Sequence, residues 1–168
     1  KRYLTTSYQI PNTNLSIVHG NALHTDMPND PYKVVANIPY HITSPLLHHL
    51  FLESKVKPSS LTLLLQREVA EKICDEAHKG MLTILVGLFG KPFLVRLVPA
   101  SAFLPPPKVE SAVLHIECFD KPLADPAVLD RVFDLVKLCF SQKRKMLRNT
   151  LGKEDAGAEL LKQCSIEP

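Results

Sequence analysis

Glycine is scarce in this chain, and its spacing excludes several chemistries. The 168 residues contain six glycines, none in a GxGxG or P-loop pattern, so no loop here is built to wrap the phosphates of a nucleotide. GxSxG and HExxH are also missing, which removes the hydrolase nucleophile elbow and the helical zinc-protease site. The four cysteines (Cys74, Cys118, Cys139, Cys164) lie far apart with no CxxC pair. A local zinc knuckle is thereby disfavoured, no metal site is expected, and the thiols read as reduced residues of a cytoplasmic protein. No apolar run reaches the roughly 18 residues that a membrane span needs, so no membrane partner is expected. The chain has no initiator methionine and no charged start leading into an apolar signal core. It opens on Lys1-Arg2-Tyr3, which reads as the middle of something longer.

Acidic residues are missing where bases gather. Between Lys137 and Lys153 lie six basic residues (Lys137, Lys143, Arg144, Lys145, Arg148, Lys153) and no acid, although the net charge of the whole chain is only +3. The rest of the chain is therefore net acidic, and the basic character is local. Such a patch suits docking to a polyanion better than general stickiness. Arg144 and Arg148 are four apart and share a helix face with Lys145 beside them, an arrangement fitted to phosphates. An apolar fraction of 45% is ordinary for a globular core, and the length allows one domain with a small appendage.

Hydrophobic patterning sets out an α/β chain. Leu15 to His19 reads as a short strand ended by Gly20-Asn21, and Lys33 to Ala36 as a second, with Val34-Val35-Ala36 a buried-looking run. Ser44-Pro45 suits the N-cap and first position of a helix carrying Leu46, Leu47, Leu50 and Phe51 at helical spacing. Leu61 to Leu65 is a continuous apolar run, as in a buried parallel strand. Glu68 to His78 reads as a helix closed at Gly80, and Met81 to Phe89 as another, with its β-branched content leaving a strand as the alternative. Phe93 to Val98 and Ala112 to Phe119 read as strands that can pair antiparallel across Pro105-Pro106-Pro107, giving a mixed sheet whose last strand is antiparallel. The composition shifts over residues 120–126, a linker between a first domain (1–119) and a helical segment (127–168). There, Val128 to Leu151 reads as helix with a stripe of Val132, Leu135, Val136, Cys139 and Phe140. Glu68, Glu71, Asp75 and Glu76, interspersed with Lys72 and Lys79, read as a solvated face, and His48-His49 offers no metal geometry.

Asn37-Ile38-Pro39-Tyr40 carries the most chemistry. Pro39 fixes its own φ and biases Ile38 to an extended conformation, so the Asn37 carboxamide and the Ile38 carbonyl can both be aimed beyond the strand end. Both accept hydrogen bonds, as an exocyclic amine requires, and Tyr40 can stack on the ring that bears it. The tetrapeptide alone is equally consistent with a strand-ending turn and a half-buried tyrosine.

The stretch Val35 to Leu46 resembles the catalytic motif of the ribosomal RNA adenine N6-dimethyltransferases. Three further stretches are similar to that family in order and spacing: Leu65-Gln66-Arg67-Glu68-Val69-Ala70, the proline loop and strand from Ser101 to Val113, and Gln142 to Leu151. The likeness covers nearly the whole chain, and the triple proline favours the bacterial small-subunit type (KsgA type) over its antibiotic-resistance cousins. The resemblance implies a partial Rossmann-like class I methyltransferase sheet followed by a small, truncated helical domain. It implies S-adenosyl-L-methionine as donor, 16S ribosomal RNA of the small-subunit precursor as partner, a monomeric full-length enzyme, and a role in ribosome biogenesis. It gives Asn37, Ile38, Pro39 and Tyr40 the catalytic role, and Asn21, Ala22 and Asn37 contact with the cofactor. Tyr40 and Phe103 would stack on the base, with a loop anchor on the core as the other reading of Phe103. Lys108, Lys143, Arg144, Lys145 and Arg148 would meet RNA.

Two departures matter. Asn21 stands where the family has an aspartate that accepts from the cofactor's adenine amine. The family's glycine loop and the acid that binds the ribose are not among these residues. The chain is therefore expected to be an incomplete, inactive piece that binds the cofactor weakly or not at all. A non-catalytic RNA-binding module and a large-subunit methyltransferase of the resistance type are the alternatives.

Overall fold

The run from Leu61 to Leu65 lies inside a four-stranded sheet. A computed structural model describes residues 6–9, 14–77, 80–141, 151 and 155–164. Strand β1 (Thr6–Gln9) and strand β2 (Ser16–His19) form an antiparallel pair of their own, outside the main sheet. In the main sheet β3 (Lys33–Asn37) pairs parallel with β4 (Ser60–Gln66). Strand β5 (Gly90–Val98) and strand β6 (Ser111–Cys118) complete the order β3-β4-β6-β5, with β6 antiparallel to both neighbours. The mixed sheet with an antiparallel last strand is thus as expected from the sequence.

The β4–β6 register explains the core. Leu61 faces Ile116, Leu63 faces Leu114 and Leu65 faces Ala112, and all six side chains are fully buried. They share one face because side chains alternate along a strand. Into that core pack α1 (Thr43–His48), the π-helical turn His49–Glu53 that continues it, α2 (Arg67–Cys74) and α3 (Met81–Phe89). Phe51 and Phe89 stack there with ring centroids 5.0 Å apart.

Several boundaries differ from the sequence reading, each for a local reason. Val35 is 83% exposed, because β3 is an edge strand and nothing among the described residues covers its Lys33-Val35-Asn37 face. Ser44 is not an N-cap. The chain leaves Pro39 directly into a 3-10 turn (Tyr40–Ile42), so α1 begins at Thr43 without a side-chain cap. Pro45 sits in the first turn of α1, where a missing N–H leaves no intrahelical bond unmade. Helix α2 stops at Cys74, with Asp75 extended, and Gly80 starts the next helix rather than closing this one. The Gly80 N–H donates to Thr83 Oγ1 (3.3 Å), and Ile84 N–H donates to the Gly80 carbonyl (3.0 Å). On α2, Lys72 pairs with Glu68 and Arg67 with Glu71, the solvated charge pattern expected. Where α1 passes into the π turn, His48 and His49 both contact Glu53, at 3.2 and 2.8 Å. The His49 bond first, and His48 with it, hold the Glu53 carboxyl below its ordinary range.

Strand β5 starts three residues earlier than the apolar run, at Gly90, and the reason is space. A Cβ at Gly90 would lie 2.6 Å from the Glu117 carbonyl oxygen and 2.9 Å from Ile116 Cγ2. Only glycine lets β5 approach β6 so closely. Gly90→Ala is expected to destabilise the fold by about 1–3 kcal/mol through this overpacking, read as a lowered urea midpoint with an unchanged slope. An unchanged midpoint would show that β5 can move aside freely.

The last described helices are α4 (Pro126–Phe140) and α5 (Asp155–Gln163). Asp125 accepts from Ala127 N–H at 2.8 Å and Pro126 opens α4, a well-formed start. Its buried seam is Leu129, Phe133 and Val136, while Leu135 and Phe140 are exposed, unlike the stripe read from the sequence. Leu135 lies about 200° round the helix from Phe133 and so cannot share its face. Before α4, Phe119 and Leu123 donate N–H groups to the Phe89 and Leu88 carbonyls, so the expected linker is tied at Leu123 to the end of α3. Among the described residues no helix is long and apolar enough to cross a membrane, and no cluster of side chains could hold a metal. All four cysteines are free, and burial pushes the Cys118 thiol up to about 12.

Candidate active site

Asn37 is the last residue of β3, at the carboxyl end of a parallel pair where open α/β sheets hold ligands. Ile38 follows and is anchored in the core at 7% exposure. Pro39, at φ −57° and ψ 129°, then turns the chain, and Ile42 N–H donates back to the Pro39 carbonyl at 3.0 Å. The turn is locked again by Thr43, whose hydroxyl donates to the Tyr40 carbonyl at 3.0 Å.

The Tyr40 ring is held at its far end too. Its hydroxyl lies 2.6 Å from Ser111 Oγ, a contact across 71 positions of sequence to the first residue of β6. Ser111 is wholly buried, so this bond satisfies a polar atom that water does not reach. A ring fixed at backbone and phenol is a preformed stacking surface.

The opposite wall comes from the proline loop. Pro99 leads into a 3-10 turn, Ala100–Ala102, and Phe103 N–H donates to the Ala100 carbonyl at 3.2 Å. At the other end of the loop, Arg67 donates its backbone N–H to the Glu110 carbonyl (3.0 Å) and Nη1 to the Glu110 carboxylate (2.7 Å). Arg67 Nε also donates to Glu71 at 2.7 Å, so α2 clamps the loop just before Ser111.

Between the two walls is an open cleft of about 440 Å³, lined by Asn37, Ile38, Pro39, Tyr40, Phe103, Leu104, Pro105 and Pro107. The structure thus brings together the whole tetrapeptide and Phe103, although they are more than sixty residues apart. The lining contains no carboxylate, imidazole or amine. What it can do is accept hydrogen bonds and sandwich a flat ring; it offers no strong general base.

Other residues singled out from the sequence fall elsewhere. Asn21 and Ala22 do not line this cleft, and the Asn21 carboxamide oxygen accepts from Leu23 N–H at 3.0 Å in a local turn. Lys108 is exposed on the loop beside the cleft-lining Pro107. Lys143, Arg144, Lys145 and Arg148 lie outside the described residues. Sequence reasoning missed Ser111 and Arg67 as supports of the site. A serine at the head of a strand and an arginine at the head of a helix carry no signal until the register brings them beside Tyr40 and Glu110.

A mixed sheet with this turn at a strand end, followed by a loop and an antiparallel last strand, is the Rossmann-like architecture of rRNA methyltransferases. The chain belongs to the ribosomal RNA adenine dimethylase family, whose model matches residues 2–166. It is 39% identical over 163 residues to the ribosomal RNA small subunit methyltransferase A of Sinorhizobium medicae, covering 92% of this chain and 58% of that protein. Against the protein of the same name from Caldanaerobacter subterraneus the identity is 37% over 165 residues, covering 92% and 61%. Among solved structures, a dimethyladenosine transferase from Plasmodium falciparum superposes with a TM-score of 0.66 at 32% identity, covering 86% of this chain and 52% of that one. The 23S rRNA methyltransferase ErmE also gives 0.66, at 26% identity and 88% and 61% coverage. The chain spans a little over half the length of the curated relatives it matches.

Proposed function

We propose that this chain supplies the acceptor half of an S-adenosylmethionine-dependent enzyme that dimethylates N6 of adenines in 16S ribosomal RNA. The observation that carries the proposal is the cleft itself: two hydrogen-bond acceptors at a strand end, two aromatic residues, and no general base. Adenine N6 is a poor nucleophile because its lone pair is delocalised into the ring. Acceptors at Asn37 Oδ1 and the Ile38 carbonyl would hold both N6 hydrogens and favour a more tetrahedral nitrogen with its lone pair free. Tyr40 and Phe103 would fix the plane of the ring. The proton left on the alkylated nitrogen is acidic enough to pass to water, so positioning and electrostatics carry the rate.

The cofactor supplies a methyl group on a sulfonium whose departure leaves a neutral thioether. The residues present fit one part of such a donor. Asn37 is exposed at the cleft, and Asn21 keeps a second lone pair on an oxygen already taking the Leu23 N–H.

The names of the curated relatives favour the small subunit over the large, and the triple-proline loop agrees with them. The domain division at residues 120–126 and the basic segment from Lys143 to Arg148 belong to the same proposal, with Lys108 and that segment meeting RNA phosphates. The double variant Arg144→Ala/Arg148→Ala is expected to weaken RNA binding and lower the slope of log affinity against log salt by about two. An unchanged slope would remove the basic segment from the RNA surface.

The test of activity is a hybrid in which this chain replaces the matched 163 residues of the Sinorhizobium medicae relative. Dimethyladenosine in a small-subunit RNA hairpin is expected. RNA binding without any methyl transfer by a folded hybrid would favour a non-catalytic binding module, and transfer only to a large-subunit hairpin would reassign the substrate.

A further inference from the structure

Leu104 is 98% exposed, yet it is one of the residues that line the cleft, between Phe103 and Pro105. Single exposed leucines are common on protein surfaces and usually mean nothing. This one differs in its setting. It stands on a loop stiffened by Pro99, the 3-10 turn Ala100–Ala102, and Pro105 to Pro107, and clamped at Glu110 by Arg67. A loop so constrained holds its tip out in advance rather than letting it collapse onto the core. The neighbouring Phe103 is half-buried in the same cleft lining, whereas Leu104 keeps nearly all of its surface in solvent at the cleft's rim.

We propose that Leu104 is a wedge: it enters the gap that the target adenine leaves in the RNA stack and keeps the base in the cleft. The inference rests on the reading of the cleft as an adenine acceptor site. An adenine must leave its stack to reach Asn37 and Tyr40, and the unstacking disfavours entry. A neutral, branched side chain placed between the vacated neighbours restores apolar contact to both of them and regains the hydration penalty of its own exposure. Leucine is among the side chains that serve in this way between base steps, and it does so without reading the bases it touches. The exposed Lys108, four residues on, is placed to meet backbone phosphate from the same loop. Leu104 touches flanking bases in this account and not the reacting nitrogen, so it is a positioning residue.

The experiment titrates this chain with two RNA hairpins, each carrying 2-aminopurine directly 3′ of the target adenine. In one hairpin the adenine is stacked in a helix; in the other it is bulged and unstacked. The chain is expected to bind both, and to raise the fluorescence of the first as the adenine leaves its neighbour. Leu104→Ala should weaken binding to the stacked hairpin about tenfold and suppress its fluorescence rise, while changing affinity for the bulged hairpin less than about twofold. Leu104→Met should restore both readouts. Because the side chain is fully exposed, neither variant disturbs the core. Equal loss on both hairpins, or no loss on either, would overturn the wedge while leaving the cleft intact. Failure of the unsubstituted chain to unstack the adenine at all would overturn the acceptor reading, and the wedge with it.

Discussion

Asn37→Ala, made in the hybrid enzyme, is expected to lower methyl transfer about a hundred- to a thousandfold while RNA affinity stays nearly unchanged. The magnitude follows from where Asn37 sits. Its side chain is exposed on the open face of β3, at the mouth of the cleft, and among the described residues no side-chain hydrogen bond commits it to the fold. Truncation therefore removes an acceptor aimed at the reacting amine and leaves the buried Ile38 and the hydrogen-bonded Pro39–Ile42 turn in place. An acceptor that acts as the nitrogen becomes tetrahedral contributes to the transition state and little to the bound ground state. The check is single-turnover transfer beside a binding isotherm on the same hairpin. Lost affinity with unchanged turnover would make Asn37 a structural residue.

Tyr40 is expected to separate stacking from scaffolding. Tyr40→Ala removes a ring that lines the cleft with Phe103 and should weaken capture of an unpaired adenine about ten- to a hundredfold. Tyr40→Phe keeps the ring and should cost binding little. It leaves Ser111 Oγ buried without its 2.6 Å partner, so it should lower stability by about 1–3 kcal/mol. The double variant Tyr40→Phe/Ser111→Ala should recover most of that loss, because neither partner is then stranded. Equal binding defects for Tyr40→Ala and Tyr40→Phe would show that the hydroxyl, and not the ring face, is what RNA uses.

The sheet was legible in the sequence because its signals are local and strong. Leu61 to Leu65 is apolar but for Thr62 and lies between two neighbours, and the two final apolar runs flank a loop whose triple proline excludes an α-helix. The tetrapeptide was legible for the same reason: a proline after an apolar run ends a strand wherever it falls. What stayed hidden depends on partners. Val35 looks like core, but its exposure follows from an edge position that no local pattern encodes. Ser44-Pro45 has the form of a helix start, but the hydrogen-bonded turn from Pro39 begins the helix sooner. Gly80 can close one helix or open the next, and the Thr83 hydroxyl, accepting from Gly80 and donating to the Lys72 carbonyl at 2.7 Å, decides it. The pairing of β1 with β2 needs residues before the first run recognised as strand. In the site, Asn37, Tyr40 and Phe103 announce themselves by residue type. The supports, Ser111 and Arg67, become visible only once the register is known.

The central claim is that this cleft reads the exocyclic amine of an adenine, and one affinity comparison tests it on the chain itself. The measurement is the dissociation constant for a hairpin whose bulged target is adenine, against the same hairpin carrying purine, which lacks the amine. The account predicts about tenfold weaker binding to purine, a difference that Asn37→Ala leaves largely in place because the Ile38 carbonyl still accepts from the amine. Equal affinity of the unsubstituted chain for adenine and purine would contradict it.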